Sequence, residues 1–316
     1  MSRNDSQKIL DLTVKIILHD IARHPNRFKQ MQLDELFRYI KIMQSTIQKT
    51  SGIECTFRNA INFQTIEALT VNAMEGCYIA MRHGGQESKY IAELDLDNET
   101  AKIIQMRSLH NISDKITEHS AIEFIATMII FKYLKDKFNI QFHIYSSHNQ
   151  RALQPAFALA KLLEISCEHN PALDCVNYPD ENIISNKQLK LILDKGTLPW
   201  KKAAVDCVCG AGTFDRICQS MRQAFDIRLL GQKQVHLMFT HTQQINAICE
   251  AQKQSVTRFD YYGLVGLNAS SHVFLYDQGF YQNITMATLL KQSKFSDAKT
   301  DNQVSPDQNP KFKAKL

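Results

Sequence analysis

Apolar residues recur at helical spacing through the first quarter of the chain. One stripe with the i, i+3, i+4, i+7 spacing of a buried helical face consists of Leu33, Leu36, Phe37, Ile40, Met43 and Ile47. An earlier apolar segment, residues 9–22, ends before His24-Pro25, where the residue that precedes proline disfavours helix. These patterns predict that residues 1–75 form a helical extension.

From residue 77 onward, short apolar runs alternate with helical patterns. The four runs that predict strands are residues 77–81, 142–145, 235–239 and 273–276. Helical periodicity lies between them, over residues 118–137, 151–164 and 213–226, and a short helix is expected after His241. This alternation is typical of a parallel-dominated sheet with helices on both faces. The sequence therefore predicts a three-layer α/β/α sandwich with a mostly parallel sheet over residues 76–290.

Composition and charge narrow the class of protein. The chain has 316 residues, of which 44% are hydrophobic, so a wholly disordered or collagen-like chain is excluded. Its formal net charge is +5, but residues 76–290 carry 21 basic and 21 acidic side chains. The excess lies in the two flanks. Because no basic field covers the α/β part, we expect no nucleic-acid partner.

Both ends of the chain are polar. Residues 291–316 hold six lysines, three aspartates and two prolines without an apolar period, which predicts a flexible tail. Residues 1–8 lack the apolar segment of a signal peptide. The longest apolar stretch, residues 121–131, is too short for a membrane span, which needs roughly 20 residues. We therefore expect a cytoplasmic protein, and its eight cysteines, without a CxxC pair, to be reduced.

Arginine and histidine follow three of the four predicted strands. Arg82 and His83 close the first, Arg151 opens the helix after the second, and His241 follows the third. The carboxyl ends of parallel strands meet at one edge of the sheet, where ligands bind. Arginine binds phosphate oxygens through two parallel hydrogen bonds, and a helix N-terminus adds free N–H groups. The pattern therefore indicates a site for an oxyanion.

The same residues carry a resemblance to a known family. Met81-Arg82-His83-Gly84 resembles the Arg-His-Gly signature of the histidine phosphatase superfamily, in its phosphoglycerate-mutase-like branch (branch 1). Residues 145–156 are similar to that branch's second block, Ser-Ser-Pro-x-x-Arg-Ala-x-Gln-Thr-Ala, with His148 in place of proline and Pro155 in place of threonine. Residues 237–241 resemble the strand that ends in its second histidine. His148 is either a phosphate contact or a solvated loop histidine.

The resemblance implies a phosphomonoester hydrolase. His83 would be the nucleophile and would form a phosphohistidine that water then hydrolyses. Arg82, Arg151 and His241 would hold the phosphoryl oxygens. The scheme requires no metal and no cofactor. Its substrate would be a phosphorylated small molecule or a phosphoprotein; sugar phosphates, nucleotides, phosphopeptides and inositol phosphates all stay open. A mutase is less favoured, since no lid is evident in the sequence.

The general acid departs from the family's pattern. The Leu-x-Glu step of the family corresponds best to residues 173–175, which puts Cys175 at the position of the glutamate. Asp174 lies one residue away and is the expected acid, with Asp180 or Glu181 as alternatives.

This departure leaves a second function open. The alternative is a catalytically weak or inactive phosphatase-like binding module that uses residues 1–75 to bind a partner protein. The Asn-, Gln-, Lys- and Ile-rich composition, the helical extension and the polar tail look like those of a bacterial effector delivered into host cells. The partner would then be a host protein.

Overall fold

The computed structural model describes residues 5–53, 63–82, 115–174, 205–206, 210–224, 233–241, 244–245, 247, 272–277 and 280–285. The helices are α1 (Asp5–Arg23), α2 (Arg27–Gln30), α3 (Leu33–Ser51), α4 (Phe63–Glu75), α5 (Glu118–Phe138), α6 (Gln150–Leu163) and α7 (Thr213–Ala224). The strands are β1 (Cys77–Arg82), β2 (Gln141–Ser146), β3 (Cys167–His169), β4 (Gln234–Thr240), β5 (His272–Asp277) and β6 (Phe280–Thr285). A 3-10 turn, Pro171–Leu173, follows β3.

The described strands form one sheet in the order β3-β2-β4-β1-β5-β6. The pairs β3–β2, β2–β4 and β4–β1 are parallel, whereas β5 runs antiparallel to both β1 and β6. The predicted α/β fold, with a parallel sheet flanked by helices, is therefore confirmed. β3 and β6 were absent from the predicted strands. With three residues, β3 is too short to show an alternating pattern.

Helix α5 occupies the centre of the larger core. Every residue from 124 to 134 is buried, as expected of a helix that is covered on all sides. On one side the ring of Phe124 meets that of Phe239 on β4 edge-on, with centroids 6.0 Å apart. On the other side α5 packs against α1, α2 and α3.

No helix in the described part of the chain is long and apolar enough to span a bilayer.

The N-terminal helices share their core with the sheet. Ile17 of α1, Leu36 of α3 and Ile79 of β1 belong to one buried cluster. Asp20 joins the helices to one another, because its carboxylate accepts hydrogen bonds from Arg27 (2.6 Å) and from the Tyr39 hydroxyl (2.8 Å). Helices are thus found where the apolar stripes predicted them. The domain boundaries at residues 75 and 290 stay predictions, and the tail lies outside the described residues.

A second, smaller core covers the opposite face of the sheet. Tyr78 of β1 and Met238 of β4 pack there with Phe214 and Met221 of α7 and with Leu173 of the 3-10 turn. Successive residues of a strand point to opposite faces, so each strand contributes to both cores. The turn that carries Leu173 is thereby held close to the carboxyl ends of the strands, which is where the candidate site lies.

The described cysteines are free thiols, namely Cys77, Cys167 and Cys218. Burial raises the pKa of the Cys77 thiol to about 12. Burial, together with the neighbouring Glu168 carboxylate, raises the pKa of Cys167 to about 11. Both side chains therefore stay protonated at neutral pH and serve as packing groups.

Candidate functional site

The parallel strands end level with one another. Arg82 of β1 is paired with Thr240 of β4, and Ser146 of β2 is paired with both Phe239 of β4 and His169 of β3. Arg82, the segment after β2 and His241 therefore meet at the carboxyl edge of the sheet, as the sequence predicted. His83 lies outside the described residues, as does the side chain of Arg82.

The loop after β2 is fastened to the end of β4. The backbone N–H of Ser147 donates a hydrogen bond to the carbonyl of Phe239 at 3.0 Å. The Ser147 Oγ lies 3.0 Å from the Nε2 of His241, which is 2% exposed. The side-chain amide of Asn149 donates to the same nitrogen at 3.2 Å. His241 is therefore buried and oriented by two side chains of the β2 loop.

The side chain of Asn149 makes an unusual contact for an asparagine at the start of a helix. It is the N-cap of α6, a position where the side chain commonly accepts from a backbone N–H of the first turn. No such side-chain bond forms here, because the amide turns toward His241 instead. Its Oδ1 is buried and has no hydrogen-bond partner among the described residues. The first N–H groups of α6 are thus left uncovered by this side chain.

Arg151 lies in the first turn of α6, and it is 2% exposed. A guanidinium that is this well buried is costly unless an anion or hydrogen-bond acceptors surround it. The helix that carries it is held about one turn further along by Gln154, whose side chain accepts from the Ile116 N–H at 3.1 Å and donates to Gln7 of α1 at 3.2 Å. Arg151 is thus presented by a helix that is anchored independently of any ligand.

Asp174 follows the 3-10 turn and contacts two histidines. Its Oδ1 accepts a hydrogen bond from the backbone N–H of His148 and lies 2.8 Å from the ring Nδ1 of that residue, while its Oδ2 lies 2.9 Å from the Nε2 of His169. Partial burial acts to raise the pKa of Asp174. The hydrogen bonds from the His148 backbone and from the rings of His169 and His148 outweigh burial, and they hold the pKa below its ordinary value.

The position of Asp174 is tied to the end of β4. The Thr240 hydroxyl donates to the carbonyl of Leu173 at 2.9 Å, and the side-chain amide of Gln244 donates to the carbonyl of Asp174. Asp174 therefore lies at the same edge of the sheet as His241. The two alternative acids, Asp180 and Glu181, lie outside the described residues.

Two residues of this edge had no signal in the sequence. His169 lies on the short strand β3, and Gln244 lies in the segment after β4. Neither belongs to a block of the family resemblance, and their sequence distances from Asp174 follow no motif. Recognising β3 as a neighbour of β2 would have placed His169 beside His148.

Comparisons with known proteins give structural matches only. A scan against protein-family models found no match, and no protein of curated function matches the sequence. Mycobacterial glucosyl-3-phosphoglycerate phosphatase with inorganic phosphate is 15% identical over 66% of this chain and 95% of that chain, with a TM-score of 0.45. YhfR of Bacillus stearothermophilus is 14% identical over 66% and 96%, with a TM-score of 0.44. A variant phosphoserine phosphatase of Entamoeba histolytica in complex with phosphoserine is 12% identical over 66% and 95%, with a TM-score of 0.37. Two of these three proteins are phosphatases by name.

Proposed function

We propose that the chain hydrolyses phosphomonoesters at the carboxyl edge of its sheet. The observation that carries this proposal is the burial of Arg151 and His241, each 2% exposed, where β2 and β4 end beside the end of β1. A buried guanidinium and a buried imidazole at the ligand-binding edge of a parallel sheet suit a compact, doubly charged anion. A phosphoryl group has that size and charge.

The reaction proceeds through a phosphohistidine on His83. The neutral ring of His83 attacks phosphorus, the bond to the ester oxygen breaks, and the departing alcohol takes up a proton. Water then attacks phosphorus and gives up a proton, the P–N bond breaks, and inorganic phosphate leaves His83 neutral again. Two displacements replace one difficult step.

The other residues of the site stabilise the phosphoryl group in both displacement steps. Arg82, Arg151 and His241 bind the phosphoryl oxygens, where negative charge is concentrated in the transition state. The two guanidiniums also favour the neutral form of His83, since a nearby positive charge disfavours imidazolium. The positive end of the α6 helix dipole adds to the anion site.

Asp174 is the proposed proton donor to the leaving oxygen. Its place beside the end of β4 supports that role. Its surroundings also favour the second candidate function, a phosphate-binding module with weak or no turnover. Both of its carboxylate oxygens are already engaged by His148 and His169, and these contacts hold its pKa below the ordinary value. Donation to a substrate would require those contacts to rearrange and the carboxylate to take up a proton first. In that case residues 1–75 would bind the partner, and a host-protein partner, effector delivery and a cytoplasmic location stay predictions.

Turnover of an aryl phosphate at mildly acidic pH separates the two functions. The wild type is compared with His83→Ala, and His19→Ala on the exposed side of α1 serves as the control. The enzyme proposal requires phosphate release by the wild type and the control, and none above background by His83→Ala. If the wild type releases no more phosphate than His83→Ala but still binds vanadate, the chain is the binding module.

A further inference from the structure

The carboxyl ends of β2 and β3 bring two histidines beside one carboxylate. His148 lies in the loop after β2, His169 ends β3, and Asp174 follows the 3-10 turn. The two strands are parallel neighbours, with Ser146 paired with His169, so their ends point the same way. The three side chains thus come from three separate segments that the topology of the sheet brings together.

The ligating atoms of these side chains converge. The Nδ1 of His148 and the Nε2 of His169 lie 2.8 and 2.9 Å from the two oxygens of Asp174, and all three groups offer ligand atoms within 4.8 Å of one another. The two rings are nearly perpendicular, at 86°, with centroids 5.8 Å apart. Ligands at 2.0–2.2 Å from a tetrahedral ion lie roughly 3.3–3.6 Å from one another. Small side-chain rotations would therefore place an ion between them.

The backbone that carries the cluster is held in place. The Asn170 N–H donates to the Ser146 carbonyl at 3.1 Å, and the Asn170 side chain accepts from the Ala172 N–H at 3.0 Å. On the far side, Gln244 and Thr240 hold the carbonyls of Asp174 and Leu173. The ligands are thus fixed by main-chain contacts that do not involve their own rings.

The cluster is also open to solvent. The side chains of His148 and His169 are 40% and 47% exposed, and that of Asp174 is 20% exposed. An ion can enter from bulk water, and water can complete its coordination. A set of three protein ligands with an open position is the arrangement of zinc sites that bind water or an exchangeable ligand.

We propose that His148, His169 and Asp174 form a binding site for a divalent transition-metal ion, for which Zn²⁺ is the best match. Imidazole nitrogens suit zinc and the neighbouring transition metals, whereas Mg²⁺ and Ca²⁺ take oxygen ligands. One carboxylate with two neutral imidazoles offsets one of the two charges of the ion. The site adjoins the proposed phosphoryl pocket, since His148 stands between Ser147 and Asn149, which both contact His241. An ion bound to the Asp174 carboxylate would prevent this side chain from transferring a proton.

Direct titration with Zn²⁺ tests the site without reference to catalysis. The full chain is freed of metal with a chelator and titrated with Zn²⁺ by calorimetry, alongside His148→Gln, His169→Gln and Asp174→Asn. His19→Gln, which removes an exposed histidine of α1, is the matched control. Circular dichroism establishes that each variant is folded, and both histidines of the cluster are exposed enough for glutamine to be accommodated.

The expected result is one Zn²⁺ bound by the wild type and the control with micromolar or tighter affinity. Each cluster variant should lose that equivalent or bind it more than about tenfold more weakly, since losing even an outer partner of a ligand weakens binding by 10–100-fold. Co²⁺ bound to the wild type should show the visible absorption of a low-coordinate site, and His169→Gln should lack it. The proposal is overturned if the wild type binds no Zn²⁺ or if the cluster variants match it.

Discussion

The Nε2 of His241 lies 3.0 Å from the Oγ of Ser147, so the residue that follows β4 is held by the residue that follows β2. The backbone makes the same connection, because the Ser147 N–H donates to the Phe239 carbonyl. Neighbouring parallel strands thus hold the imidazole at their common edge. The orientation of His241 is therefore a property of the strand pair rather than of β4 alone.

Ser147→Ala should weaken the proposed catalysis by loosening His241. The substitution removes one of the two side-chain contacts to Nε2 and the acceptor of the Asn149 backbone N–H, and it leaves the contact of the Asn149 side-chain amide to Nε2. A typical net hydrogen bond contributes about 1 kcal/mol, so kcat/KM for an aryl phosphate should fall roughly 3- to 10-fold. Ser146→Ala is the matched control, because the buried Ser146 hydroxyl donates to the Ser147 carbonyl. Equal losses of kcat/KM in the two variants would show that the contact between Ser147 and His241 makes no specific contribution to catalysis.

Removal of Arg151 should weaken phosphate binding far more than it changes the fold. Hydrogen bonds to a charged group contribute about 1.5–3 kcal/mol, so the vanadate affinity of Arg151→Ala should fall roughly 10- to 150-fold. Arg151→Lys keeps the charge but loses the planar fork, and its loss should be intermediate. Arg38→Ala, on an exposed face of α3, should bind as the wild type does. Unchanged affinity in Arg151→Ala would mean that the guanidinium points away from the anion.

The sequence predicts which residues lie at the carboxyl edge of the sheet, because each of them directly follows an apolar run that forms a parallel strand. A compact apolar run ends at Arg82, another precedes Ser147, and a third precedes His241, so their meeting at one edge follows from the fold class alone. The contacts around Asp174 could not be predicted in this way. His169 lies on a strand of three residues, and its approach to Asp174 depends on the pairing of β3 with β2. Such pairings between short segments leave no periodic pattern in a single sequence.

Because α1 is buried against helices that cover the sheet, the N-terminal helices should unfold together with the α/β part. Ile17 is fully buried in the shared core, so Ile17→Ala should lower the free energy of unfolding by about 2–5 kcal/mol. Ile42→Ala on α3 is the matched control, because Ile42 is 62% exposed and should cost less than about 0.5 kcal/mol. Urea denaturation followed by circular dichroism measures both. If Ile17→Ala produced a separate early transition and left the main midpoint unchanged, residues 1–53 would be an independent unit.

His236 on β4 lies within a stack of rings on the second face of the sheet. Its ring stacks on those of His143 (4.5 Å between centroids, 29° between planes) and Tyr145 (5.7 Å, 23°), and the ring of Tyr78 lies 5.0 Å away. The side chain is 3% exposed, and its Nε2 has no hydrogen-bond partner among the described residues. Burial, with a smaller contribution from the charge of His143, lowers the pKa of His236 from 6.5 to about 4.

This lowered pKa should make the protein less stable as the pH falls from about 6.5 to about 4. In that range the unfolded chain binds a proton at His236 that the folded chain excludes, so acid favours unfolding; below the folded pKa the effect is complete. The full loss is about 3 kcal/mol. His236→Phe keeps an aromatic ring in the stack and removes the titration, so its free energy of unfolding should fall less over this range. His143→Gln should retain most of the slope, because burial is the larger cause. Parallel curves for the wild type and His236→Phe in urea denaturation would contradict the assignment.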